Sequence, residues 1–210
     1  MLYARLALLL VAPVLVSGAP LQDSKEPPLV MYLEADGKKI PIEVDKPIDL
    51  ETKAGKTSVT LRMEPYRVFS YAGLTFNYPR GASFKSQGEG PMTLWTLTDS
   101  PAMIMVQHFK NQPDAKLILK QMVEQMTAQY GKSAEVKQSE TSLELQKKPL
   151  KGIRLEVGFA QQTIHQNLYS FASGKDVIVL ILQDAPDDGK PTRSFVQLQK
   201  MLQDTFRFPK

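Results

Sequence analysis

Residues 168–188 read LYSFASGKDVIVLILQDAPDD, and this stretch decides the fold. Leu168, Tyr169 and Phe171 belong to a strand, and Ser173-Gly174-Lys175-Asp176 has the composition of a tight turn. Val177 to Leu182 is almost continuously apolar, as expected of a central strand covered on both faces rather than one. Asp184 to Pro191 is an acidic loop rich in Pro and Gly. Thr192 or Ser194 then supplies an N-cap for a helix whose buried stripe is Phe195, Leu198, Leu202 and Phe206. Strand, turn, buried strand, loop and closing helix predict an α+β fold: an antiparallel β-sheet flanked by helices.

Upstream, the same periods continue. Leu150 to Ala160 carries Ile153, Leu155, Val157 and Phe159 in strict alternation, and Gln161-Gln162 turns the chain into Thr163 to Ala172. Ser133 to Gln146 is polar and alternating, either one irregular strand or a loose hairpin. A helix precedes it over Lys116 to Tyr130, with Asp114 as N-cap, Gly131 at the C′ position, and Leu119, Met122, Val123, Met126 and Tyr130 on one side. Met92 to Thr98 and Ala102 to Phe109 form a hairpin around Thr98-Asp99-Ser100-Pro101. In its second strand Ile104, Val106 and His108 share a face, and Met103, Met105, Gln107 and Phe109 share the other. Gly73 to Pro79 is a strand closed by a proline.

Residues 29–66 read as a small β module. LVMYLEA alternates up to Asp36-Gly37, a strong hairpin signal. KIPIEV follows with Ile40, Ile42 and Val44 on one face and Pro41 marking an edge. TSVTLRM then places Val59, Leu61 and Met63 together. Three such strands are marginal alone, so the module is expected to pack on the next domain or extend its sheet. The expected organisation is a signal peptide over 1–18, a linker over 19–28, the β module over 29–66 and the main domain over 67–210.

The order from Phe69 onward resembles the PsbP-like fold. The residues carrying the resemblance are Leu74-Thr-Phe76 with Tyr78-Pro79, Leu150-Lys-Gly152-Ile153-Arg154-Leu155, Tyr169-Ser-Phe171, Val177 to Leu180 ahead of the acidic loop, and Phe195 to Phe208. Here Thr205-Phe206 replaces the family's closing Ser-Phe. The resemblance covers about two thirds of the chain and leaves residues 29–66 outside. It implies an α/β/α sandwich around an antiparallel sheet. It also implies a tendency toward protein binding, in a family of photosystem subunits, a nuclear import factor and exported DcrB-like bacterial proteins without shared catalytic residues.

Leu6 to Val16 (LALLLVAPVLV) follows a single positive charge, Arg5, and precedes Ser17-Gly18-Ala19. That is the pattern of a secretory signal peptide, cut after Gly18, and the run is too short to span a bilayer as a helix. The expected location is therefore periplasmic or secreted, with no membrane span after cleavage. The chain has 210 residues and no cysteine, which excludes thiolate metal sites, a thiol nucleophile and stapling disulfides. With 26 basic and 22 acidic side chains, the charge is too balanced for nucleic-acid binding.

Candidate chemistry is sparse. His108 and His165 lie on separate strands without metal-ligand spacing. Ala54-Gly-Lys-Thr-Ser58 looks like the end of a phosphate loop, but position 50 is Leu50 rather than glycine, so it reads as a turn. Asp184, Asp187, Asp188 and Gly189 are the best acidic cluster. They do not match a calcium loop and read as turn and helix-start chemistry. The densest basic run, Lys147, Lys148, Lys151 and Arg154, reads first as a solvated strand edge; as a binding patch it is the candidate for lipid headgroups, an anionic polysaccharide or an acidic partner. No G-x-S-x-G or Ser/His/Asp set is present. The expectation is an exported, non-enzymatic binding or accessory protein without cofactor or metal. It would engage a protein partner in the cell envelope or an apolar or amphipathic ligand. The alternatives are a carboxylate-based extracytoplasmic hydrolase and an envelope chaperone-like factor.

Overall fold

The computed structural model describes residues 26–35, 37–43, 48, 59–88, 90–112, 114–159 and 162–208. The expected signal peptide, most of the linker, Val44 and the Ala54–Ser58 turn lie outside them. The described strands and helices run β1 (Leu29–Ala35), β2 (Lys38–Ile42), β3 (Val59–Tyr71), β4 (Leu74–Pro79), β5 (Ser83–Gln87), β6 (Met92–Asp99), β7 (Ala102–Phe109), α1 (Ala115–Tyr130), β8 (Glu135–Leu145), β9 (Lys148–Gly158), β10 (Thr163–Ser173), β11 (Asp176–Asp184) and α2 (Arg193–Thr205). The class is α+β with mostly antiparallel strands.

The apolar run at 177–182 sits in β11, the middle strand of a seven-stranded antiparallel sheet ordered β5-β6-β7-β11-β10-β9-β8. Its side chains divide by parity, because successive residues of a strand point to opposite faces. Val177, Val179 and Ile181 meet Val123, Met126 and Tyr130 of α1; Ile178, Leu180 and Leu182 meet Phe195, Leu198 and Leu202 of α2. All six are at most 1% exposed. Burying each contributes about 1.5–3 kcal/mol, which is why so apolar a run is stable only at the sheet's centre.

Both helices begin as their caps dictate. Asp114 accepts from the Leu117 amide at 2.9 Å, and Thr192 Oγ1 accepts from the Phe195 amide at 3.2 Å. Gly131 departs from expectation: its φ of −59° is right-handed, and its N–H simply closes the last turn onto the Thr127 carbonyl at 2.8 Å. Its small size is what matters, since an added Cβ would lie 2.9 Å from that oxygen.

A second sheet, ordered β2-β1-β3-β4, forms the N-terminal part. The boundary expected between residues 66 and 67 falls inside β3, where Tyr66 pairs with Pro79 and Arg67 with Tyr78. At thirteen residues, β3 is about 43 Å long. Its C-terminal half belongs to the main core. Phe69 stacks on Phe76 at 4.7 Å and meets Trp95 of β6 edge-on at 5.8 Å. Its N-terminal half carries Val59, Leu61 and Met63 on one face, 42%, 60% and 51% exposed. Their neighbours on that face are Met31 and Leu33 of β1 and Ile40 and Ile42 of β2. The opposite face is polar, with Arg62 paired to Glu34 at 3.1 Å and Lys39 to Glu64 at 3.3 Å.

Candidate functional site

The stretch 133–146, left open between one strand and a hairpin, is the single strand β8. Its register with β9 is unbroken over eleven pairs, from Glu135↔Gly158 to Leu145↔Lys148. The turn between them is Gln146-Lys147, and both residues have positive φ, 51° and 62°. A two-residue hairpin needs that left-handed geometry to match the strand twist. Asn-Gly adopts it easily; Gln-Lys pays steric strain of about 1 kcal/mol or more per residue. The strained tip stands beside α2, tied there by Gln203 Nε2 donating to the Glu144 carbonyl at 3.2 Å.

Between tip and helix lies an open groove of about 660 Å3, whose lining includes Glu144, Gln146, Lys147, Phe195, Val196 and Arg207. Phe195 is buried and gives the groove an apolar wall, while Val196 is 54% exposed. The Arg207 guanidinium donates to the Phe206 carbonyl at 2.8 Å, and neither it nor Lys147 pairs with a carboxylate among the described residues. Lys200 and Asp204 on the same helix pair with each other at 2.8 Å. The groove therefore offers an apolar wall beneath two cations, with the Glu144 carboxylate at its rim, none of them ion-paired among the described residues.

The four residues of the expected basic patch do not form one. Lys147 is at the hairpin tip, in the groove. Lys148 and Arg154 share one face of β9 but are six residues apart, about 20 Å. Lys151 projects from the opposite face. Arg154 is engaged as well, its Nε donating to Asn167 Oδ1 at 2.8 Å. A basic run read along a strand is split by the two-residue repeat, so only Lys147 joins the groove.

The histidines are also apart. His108 is on β7 and His165 on β10, with β11 between them. They face Ile178 and Asp184 of β11, again about 20 Å apart along the strand. His108 Nε2 pairs with Asp176 Oδ2 at 2.8 Å, and His165 Nε2 lies 4.0 Å from Glu156. The Asn111 amide at 2.9 Å, and then His108, hold the Asp176 carboxyl below its ordinary range.

The acidic loop is turn chemistry. Asp187 and Lys190 close a tight turn over Asp188 and Gly189, both with positive φ. Asp184 points inward: it is 2% exposed and accepts from the Thr192 amide at 2.9 Å and from Thr192 Oγ1 at 2.7 Å. It thus orients the α2 cap. Among the described residues no His, Asp or Glu cluster is arranged to hold a metal ion.

Burial raises the phenol pKa values of Tyr71, Tyr78, Tyr130 and Tyr169. These rings belong to the cores and not to the groove. The groove escaped the sequence reading because its two walls, residues 144–147 and 195–207, are about fifty positions apart. The one available signal was Lys147, read as part of a run that the strand disperses.

No protein-family model matches the chain, and no curated protein matches it. Among solved structures it is similar to a crystal structure from Bacteroides thetaiotaomicron VPI-5482, at 14% identity and a TM-score of 0.36, over 70% of this chain and 50% of that one. This chain thus spans half the length of that relative, and the likeness is too low to carry fold or role across. No helix among the described residues is long and apolar enough to cross a membrane.

Proposed function

We propose that this is an exported, non-enzymatic binding protein of the cell envelope. It acts from a PsbP-like α/β/α arrangement and holds a partner protein or an amphipathic ligand in the groove between α2 and the β8–β9 hairpin. The observation that carries the reading is the groove itself: an apolar wall at Phe195 and Val196 beside two cations, Lys147 and Arg207, that no carboxylate in the described chain neutralises. Such a surface suits a ligand with an apolar body and an anionic group.

A photo-crosslinking residue at Val196, compared with one at the exposed Leu117 of α1, tests this in intact cells. The expected result is a discrete adduct from position 196 alone, lost when Lys147→Glu and Arg207→Glu are combined. Equal labelling at both positions, or none at 196, overturns the proposal. Fractionation of the full chain, with N-terminal sequencing for a start at Ala19, tests the export.

A second reading, an envelope chaperone-like factor, draws support from the apolar face bearing Val59, Leu61 and Met63. Contiguous exposed apolar surface of this kind marks interaction sites. It predicts that the chain suppresses aggregation of an unfolded reporter and that Leu61→Lys with Met63→Lys abolishes the effect.

A further inference from the structure

Among the described residues the two sheets have four edges, and three of them are protected. β2 is five residues long and carries Pro41 with Lys38 and Lys39. β5 is also only five residues long. β4 is sealed by the end of α2 and the chain after it: Thr75 and Arg207 exchange main-chain hydrogen bonds at 3.3 and 2.8 Å, and the Asn77 amide donates to Thr205 Oγ1 at 2.7 Å. Short length, proline and covering chain are the usual devices against unwanted strand addition.

β8 lacks all three. It has eleven residues, no proline and no break in its pairing with β9. The direction of its free groups follows from one pair. Pro149 has no N–H to give Glu144, and the Glu144 carbonyl accepts from Gln203 instead. Glu144 therefore turns its main-chain groups away from β9, and antiparallel alternation repeats that orientation at Ser142, Glu140, Gln138 and Val136. The side chains around the middle of this edge are small: Ser139, Thr141 and Ser142.

We propose that the β8 edge is a docking site for an extended segment of a partner, added as an eighth strand, with two basic side chains four residues apart. Charge selects this occupant. Glu140 and Glu144 share one face of β8, with Lys151 of β9, opposite Ser142, as the single cation on that face of the pair. A strand laid along the edge places its own residues beside both carboxylates, and lysine or arginine there completes the pairing. A second copy is the poorer occupant, because an antiparallel β8–β8 pair gathers Glu140 and Glu144 of both chains on one face. This rests on and deepens the binding role proposed above by naming a partner, and it concerns a surface that shares only Glu144 with the groove.

The probe is a synthetic peptide, TVKTVTKVT, with TVETVTEVT as its counterpart. Nuclear magnetic resonance titration of the mature protein should show slowed hydrogen exchange at the Gln138, Glu140 and Ser142 amides with the lysine peptide only. Ser142→Pro removes an outward N–H that β9 does not use, so the fold should persist while peptide affinity falls at least tenfold. Glu140→Lys with Glu144→Lys, two exposed substitutions, should reverse the preference toward the glutamate peptide and guards against a misfolded proline variant. Unchanged exchange at these amides, equal binding of both peptides, or a concentration-dependent dimer abolished by Ser142→Pro would overturn the proposal. Crosslinking at Val196 is tested through Lys147 and Arg207, and the exchange at Gln138, Glu140 and Ser142 lies outside the groove lining, so the two readings can fail separately.

Discussion

The ring of Tyr169 lies against the α-carbon of Gly152, its cross-strand partner. A methyl group on Gly152 would sit 2.5 Å from Tyr169 Cδ1 and would also collide with the Leu168 carbonyl. The ring is 2% exposed and its hydroxyl reaches Thr141 Oγ1 at 3.4 Å. A glycine in a strand normally weakens it, but here it makes the space that a large aromatic ring fills.

Gly152→Ala should therefore destabilise the protein by about 3 kcal/mol, the scale of forcing volume into a packed core. In a chain of this size that lowers the melting temperature by roughly 6–12 °C. Urea unfolding of the two proteins checks it; a midpoint within error of the parent would show that the ring moves aside freely.

The Gln146-Lys147 turn should respond in the opposite direction. Replacing it with Asn-Gly keeps the positive φ at both positions, lowers the steric cost at 146 and removes it at 147, so stability should rise by about 1 kcal/mol. If the groove binds through Lys147, the same variant should lose the Val196 crosslink. A gain in stability paired with a loss of adduct is the outcome expected of strain kept for function.

The α2 cap gives a graded pair. Thr192→Ala removes the acceptor for the Phe195 amide and should cost about 1 kcal/mol. Asp184→Ala strips the Thr192 amide and hydroxyl of their acceptor in a buried site and should cost about 2–3 kcal/mol. Equal losses in chemical denaturation would mean that Asp184 does not support the cap.

Asp176 predicts a pH dependence. Its folded-state pKa is depressed, so the stabilisation is present above the ordinary carboxylate value of about 3.9 and disappears as the pH falls through the lower folded value. Asp176→Asn should thus be less stable than the parent near pH 7, with the gap closing as the pH falls below about 4. Parallel stability curves across that range would remove Asp176 as the source.

Much of the architecture was legible because strand and helix periods are written locally. The parity of Val177 to Leu182, the hairpins at 92–109 and 163–184, the Asp114 and Thr192 caps and the α2 stripe are all visible in runs of ten residues. β5 was not, since SFKSQ is short and polar and is a strand only because Trp95 and Leu97 pair with it. Nor was the continuity of β3 across residue 66, because an exposed half and a buried half of one strand look like two segments. The basic run at 147–154 shows the same limit from the side of function. Its charges are contiguous in sequence, and the strand sends them to two faces.

The sequence by itself determined which residues point inward and where the elements start, through hydrophobic period, turn residues and caps. Tertiary structure alone decided which strands became edges, which of those the chain seals, and that Lys147 would meet Arg207 across a groove. The reason is physical: periodicity encodes the direction of a side chain relative to its own backbone. A partner on the far side of a strand or a groove is chosen by packing between segments that share no local pattern.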